Sequence, residues 1–172
     1  MVVVVGIEIY MFCCNGGRTH PSDMILLSIF TLAEAYIVSF ISSITGAQSG
    51  NQIVLMAAAL TLAMVLACTV YAVLTPTDFT TSYAIVIMLT VVLLVLWVIL
   101  LFTDSKVLTL IYCGVGVMLF GIYLVIDTQM IMGGRGIEIG IDEHCFAAMI
   151  LYIDIIQIFL YLLEFLQTLN RD

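Results

Sequence analysis

Runs of about 20 apolar residues follow one another along nearly the whole chain, each long enough to cross a hydrocarbon core of roughly 30 Å as a helix. That feature constrains the fold more than any motif. With 64% apolar and 9% charged residues and a mean hydropathy of +1.27, the chain lies far from the profile of soluble domains, which are roughly half apolar and a quarter charged. The expected fold class is all-α: a polytopic transmembrane helix bundle with the lipid bilayer as its solvent, forming a single transmembrane domain over residues 1–172. Five full spans and one partial span are expected, at about 2–14 (partial), 23–44, 53–74, 83–102, 107–132 and 143–169.

Breaks between the runs carry recognisable turn chemistry. Asn15 to Pro21 is polar, and Ser22 or Asp23 offers an N-cap. Gly46 to Gln52 reads as a short uncharged turn, and Pro76 stops one helix where Asp78 or Thr80 caps the next. Thr103 to Lys106 makes a tight turn, with Trp97 shortly before it as an interfacial anchor. Gly133 and Gly134 suit a helix C-terminus, and Asp142 caps the last helix after the longest loop. Ala57, Ala58, Ala59, Ala63 and Ala67 read as one close-packing face, and Gly114, Gly116 and Gly121 as another. The first run, Val2 to Cys14, holds Glu8 and is too short to span; no basic residue precedes Val2 and no cleavage site follows, so it does not read as a signal peptide.

A net charge of -8 and a pI of 4.3 exclude nucleic acid as a partner, because four Lys and Arg residues cannot supply a basic footprint. Cations suit the chain better. The five cysteines, Cys13, Cys14, Cys68, Cys113 and Cys145, are odd in number and lack disulfide or zinc spacing; they read as small apolar fillers, with Cys13 and Cys14 placed where palmitoylation occurs. No cofactor is expected. Arg18 and Arg135 fall on one face of the membrane and Lys106 and Arg171 on the other, so positive charge does not choose an orientation.

Acids inside the spans carry the functional signal. Glu34, Asp127 and Asp154 lie well within apolar helices, where an acid costs roughly 2.5 to 3.5 kcal/mol to insert and therefore faces a partner or a wet cavity. Glu34 lies 11 residues from Asp23 and Asp154 lies 11 from Glu143, which puts both about 16 Å from the same side. Asp127 is about 9 Å deep by the same rise, counted from Gly133, and helix tilt can absorb the difference. On the last helix Asp154, Gln157, Tyr161, Glu164 and Thr168 fall within an arc of roughly 80° at 100° per residue. Such a seam belongs inside the bundle, whether it lines a path or only hydrogen-bonds helices together.

If Asp127 and Asp154 meet, like-charge repulsion makes the pair share a proton near neutral pH. Losing that proton leaves an acidic site that suits a hard divalent cation such as Ca²⁺. A pH-sensitive ion path follows, with Asp127 and Asp154 as the sensing pair and Glu34, Gln157, Tyr161 and Glu164 as further pore-lining candidates. An intramembrane aspartyl protease would need Tyr-Asp and Gly-x-Gly-Asp motifs, whereas Asp127 follows Ile126 and Asp154 follows Ile153. His20 and His144 sit at loop edges rather than beside a nucleophile, so no enzyme activity is expected. The alternative is a non-conducting regulator that binds other membrane proteins through its helix faces.

The stretches HPSDMILLSIFTLAEAYIVSFISS, YLVIDTQMIMGG and EHCFAAMILYIDIIQIFLYLLEFLQ resemble the transmembrane BAX inhibitor motif family, in particular its Lifeguard and glutamate-receptor-associated branch. The resemblance implies a seven-helix protein of the endoplasmic reticulum, Golgi or a related endomembrane that permits Ca²⁺ leak and protects against apoptosis. It also implies that Asp127 and Asp154 correspond to a pH-sensitive aspartate pair on the family's sixth and seventh helices, and Glu34 to an acid on the third. Against that pattern, the first helix and part of the second are absent from this sequence.

Overall fold

The computed structural model describes residues 22–80, 83–134, 139–140 and 143–170. The expectations for the partial span at 2–14, for Glu8, Cys13, Cys14, Arg18 and His20, for the caps at Asp23 and Asp142, and for Arg135 and Arg171 concern side chains or segments outside that description. Five helices are present among the described residues: α1 (Ser22–Ser49), α2 (Asn51–Leu74), α3 (Tyr83–Leu100), α4 (Lys106–Met132) and α5 (His144–Leu169). The protein is all-helical, as its composition requires. In lipid a helix satisfies its own backbone groups, so continuous apolar sequence becomes continuous helix. Four of the helices are long and apolar enough to cross a membrane; α3 is shorter, its 18 residues covering about 27 Å.

Each helix end has a local cause. Thr75, extended ahead of Pro76, terminates α2 and donates its N–H to Tyr71 O at 2.9 Å. Ser105 caps α4 by accepting from Leu108 N at 3.5 Å, and Gly133 and Gly134 end it at φ of 69° and 75°. Before α3, Asp78 Oδ1 accepts from both the amide and the hydroxyl of Thr80, at 2.9 and 2.6 Å. Asp78→Ala removes this turn and is expected to lower stability by about 1 to 2 kcal/mol, read as a fall in the unfolding midpoint in detergent.

Two sequence expectations need correction. The turn at Gly46–Gln52 shrinks to Gly50 alone, because α1 continues to Ser49 and Gly50 takes the reversal at φ 94°. Gly46 stays inside the helix, and the Asn51 side chain lies over it: a Cβ there would be 2.6 Å from Asn51 Oδ1. The alanine face of α2 also divides. Ala57 is fully buried, with Ile53 and Thr61 on its face, whereas Ala58, Ala59, Ala63 and Ala67 are exposed. A two-residue step turns about 200° around a helix, so the Ala59, Ala63 and Ala67 row points away from Ala57. Among the α4 glycines, Gly116 and Gly121 are close-approach points and Gly114 has open space where a side chain would be.

Helix α5 packs most extensively on α4 and also on α2 and α1. Phe30 and Met149 form the α1–α5 core, and Ile53, Ala57 and Leu163 the α2–α5 core. Helix α3 rests on α4 through Val86, Leu119 and Ile126. The loop entering α3 is pinned from α4 by Gln129, which is fully buried. Its Oε1 accepts from Phe79 N at 2.9 Å, and its Nε2 donates to Thr77 O at 3.1 Å and Ala72 O at 3.4 Å. With α3 seated on α4 in this way, a cavity opens between α3, α4 and α5.

Candidate functional site: an aspartate pair in a cavity between helices

That cavity has a volume of about 450 Å³ and is lined mostly by apolar side chains. Its polar groups are few: Thr90 from α3, Tyr123 and Asp127 from α4, and Asp154 and Tyr161 from α5. Among the described residues that line it, none is Lys, Arg or His. The carboxyl groups of Asp127 and Asp154 both line it and are close enough to interact directly. A bond between two carboxyl groups requires a proton on one of them, which donates to the other. Asp154 is only 4% exposed, and its Oδ2 is buried with no protein donor. Across the cavity the Thr90 and Tyr123 hydroxyls lie 3.3 Å apart.

The polar seam of α5 lies along α4 and meets a matching face there. Tyr112, Gly116, Phe120, Tyr123 and Asp127 fall within an arc of roughly 80° on α4 at 100° per residue. Where the faces touch, Asp154 meets Asp127, Tyr161 meets Tyr112 with their phenol oxygens 3.3 Å apart, and Glu164 comes near the thiol of Cys113. Tyr161 lines the aspartate cavity; Glu164 lies outside it, in a second cleft beside Thr45 and Gln167. Thr168 is buried at the end of the seam. Gln157 is half-buried and not among the cavity's lining residues.

Glu34 is not among the residues lining the aspartate cavity either. Half-buried on α1, it lies within electrostatic reach of Tyr152, whose ring packs edge-on against Phe30 at 6.0 Å. The acids thus divide: the structure brings Asp127 and Asp154 together and leaves Glu34 on a different interface of α5. Sequence reasoning passed over Tyr112, Cys113, Tyr123 and Gln129. For Tyr112 and Tyr123 a signal was there, since they share Asp127's face at the spacing that drew attention to α5. Gln129 gave none, because a lone amide at a helix end does not announce that it holds a distant loop.

Among the described residues no group of three or more His, Cys, Asp or Glu side chains is arranged to hold a metal ion. Two carboxyl groups alone suit a cation that passes better than one that stays, since Ca²⁺ takes six to eight oxygen ligands.

Comparison with known proteins agrees with this architecture. The family model described as "Inhibitor of apoptosis-promoting Bax1" matches residues 1–171. Mouse protein lifeguard 3 is 32% identical over 157 residues, covering 88% of this chain and 50% of the relative. Human protein lifeguard 3 is 30% identical over 173 residues, covering 98% of this chain and 54% of the relative. Mouse protein lifeguard 4 is 31% identical over 154 residues, covering 90% and 61%. The chain spans about half the length of the first two. With the match running through nearly every residue and the apolar helices placing the protein in a bilayer, this chain belongs to the Bax1 inhibitor family of membrane proteins.

Proposed function

We propose that this protein forms a pH-responsive leak path for Ca²⁺ through an endomembrane, such as that of the endoplasmic reticulum or Golgi, and acts through it as a regulator that restrains apoptosis. The family membership supports the regulatory role. The single observation that supports the ion path is the close approach of Asp127 and Asp154 in a cavity with no basic side chain among its described lining residues. With a proton between them, the two carboxyl groups are held together and carry little net attraction for a cation. When that proton leaves, two carboxylates face each other in a poorly solvated pocket, and the repulsion is relieved by moving apart or by taking up a cation. Either event favours conduction. No basic side chain stands among the described residues that line the cavity, which leaves the permeant ion as the counter-charge in this reading.

The sign follows directly. Protons compete with Ca²⁺ for the pair, so flux rises with pH through the range in which the shared proton is lost. The test is Ca²⁺ efflux from liposomes containing the purified chain, with both faces held at matched pH between 5 and 8. Flux that climbs with pH, up to about tenfold per unit for a one-proton step, is the expected result. No flux at any pH, from a chain that still coprecipitates membrane partners, would replace this reading with that of a non-conducting regulator.

A further inference from the structure

The seam between α4 and α5 holds carboxyl groups on both sides of a single aromatic side chain. Tyr161 reaches from α5 onto the backbone of α4 at Gly116, where a Cβ would come within 2.6 Å of its Cε1 and 2.8 Å of its Cγ. Only glycine admits the ring there. Phe120 stacks against it at 5.8 Å and 30°, and Tyr112 meets it edge-on at 5.4 Å and 67°. The Tyr112 and Tyr161 phenol oxygens, 3.3 Å apart, tie the two helices at this level.

Toward the His144 end lies the aspartate cavity, of which Phe120 and Tyr161 are lining residues. Toward the Leu169 end, three residues on and about 4.5 Å further along α5, lies Glu164. It lines its own open cleft of about 320 Å³ with Thr45 and Gln167, outside the aspartate cavity. An exposed acid further along the same polar seam, near the Cys113 thiol, is the continuation an ion would need after the aspartates.

We propose that Tyr161 is the closed barrier of the path: its ring, seated on Gly116 and braced by Phe120 and Tyr112, separates the aspartate cavity from Glu164. An ion crosses when the ring leaves Gly116. This rests on the ion-path reading above and adds to it the place of closure, which the aspartates do not themselves provide.

Two measurements test it. In liposomes, Tyr161→Ala removes the barrier and is expected to raise Ca²⁺ flux several-fold at every pH, while Tyr161→Phe, which keeps the ring on Gly116 and loses only the tie to Tyr112, is expected to raise it less than Tyr161→Ala does. Labelling gives a readout that needs no flux and no change at Tyr161. In a chain whose native cysteines are serine, Leu93→Cys reports the cavity and Leu160→Cys the Glu164 cleft, each probed with a membrane-impermeant methanethiosulfonate applied to one face. The barrier requires that the two positions react from opposite faces. Reaction of both from one face, or of neither, overturns it. Wild-type protein without flux at any pH sinks the ion-path reading, whereas wild-type flux that Tyr161→Ala fails to raise sinks the barrier alone.

Discussion

Asn at position 154 is expected to flatten the pH profile of Ca²⁺ flux and to cut flux at pH 8 by about tenfold or more. The amide has the shape of the carboxyl group and can donate to Asp127, so the contact between α4 and α5 survives. What disappears is the second ionisable oxygen pair. A proton no longer has two equivalent hosts, and its departure no longer sets two negative charges against each other. Asp127→Asn acts in the same direction for the same reason. Because the residues work as one unit, the double variant should lose little more than either single variant, and that non-additivity separates a shared site from two independent ones. Liposome efflux at pH 5 to 8 reads all three. Variants that keep the wild-type profile would remove the pair from the mechanism.

Gln129→Leu carries the largest expected cost in stability, about 2 to 5 kcal/mol. Leucine fills similar space but offers neither the acceptor used by Phe79 N nor the donor used by Thr77 O and Ala72 O. Those groups, buried at Ala72 and part-buried in the loop, then lose their partner, and the unmet group, more than the lost bond, sets the penalty. Gln129→Glu separates the two halves of the clamp, since it keeps an acceptor for Phe79 and loses the donor; an intermediate loss is expected. The measurement is the thermal midpoint in detergent for each variant. Flux should change as well, because the clamp seats the loop that leads into α3, and α3 forms one wall of the aspartate cavity. A Leu variant with an unchanged midpoint would show that the hydrogen bonds do not hold the loop.

Much of the helical architecture was legible because the bilayer leaves the backbone so few options. The apolar runs at 53–74, 107–132 and 143–169 correspond to helices Asn51–Leu74, Lys106–Met132 and His144–Leu169, with Pro76 just beyond the first and Gly133 and Gly134 ending the second as the residues suggest. The helix expected at 23–44 continues to Ser49, since a glycine inside a helix costs only about 1 kcal/mol and Gly46 has a packing use there. Helix α3 ends at Leu100, with Leu101 and Phe102 already in a turn. Small residues misled on α2, where composition says how closely a face could approach another and nothing of which face does.

For the candidate site, periodicity on α5 showed a polar stripe and the same spacing on α4 marks a second face, but only the fold shows that the two faces meet. Counting residues inward from each loop left Asp127 several ångströms shallower than Asp154, yet the two line one cavity and interact directly. Rise along a helix axis does not include the angle at which two axes cross, and that angle decides which levels meet. Glu34 shows the converse. Its depth agreed with that of Asp154, and it lies on another side of α5, because equal depth says nothing about azimuth.

The one-residue junction at Gly50 has a mechanical consequence. With so short a hinge, α1 and α2 have no slack between them, and a displacement of one hauls the other along like two arms of a bent lever. Since both arms also grip α5, any swing of that helix is transmitted to the membrane surface at the hinge, without a flexible tether to dissipate it.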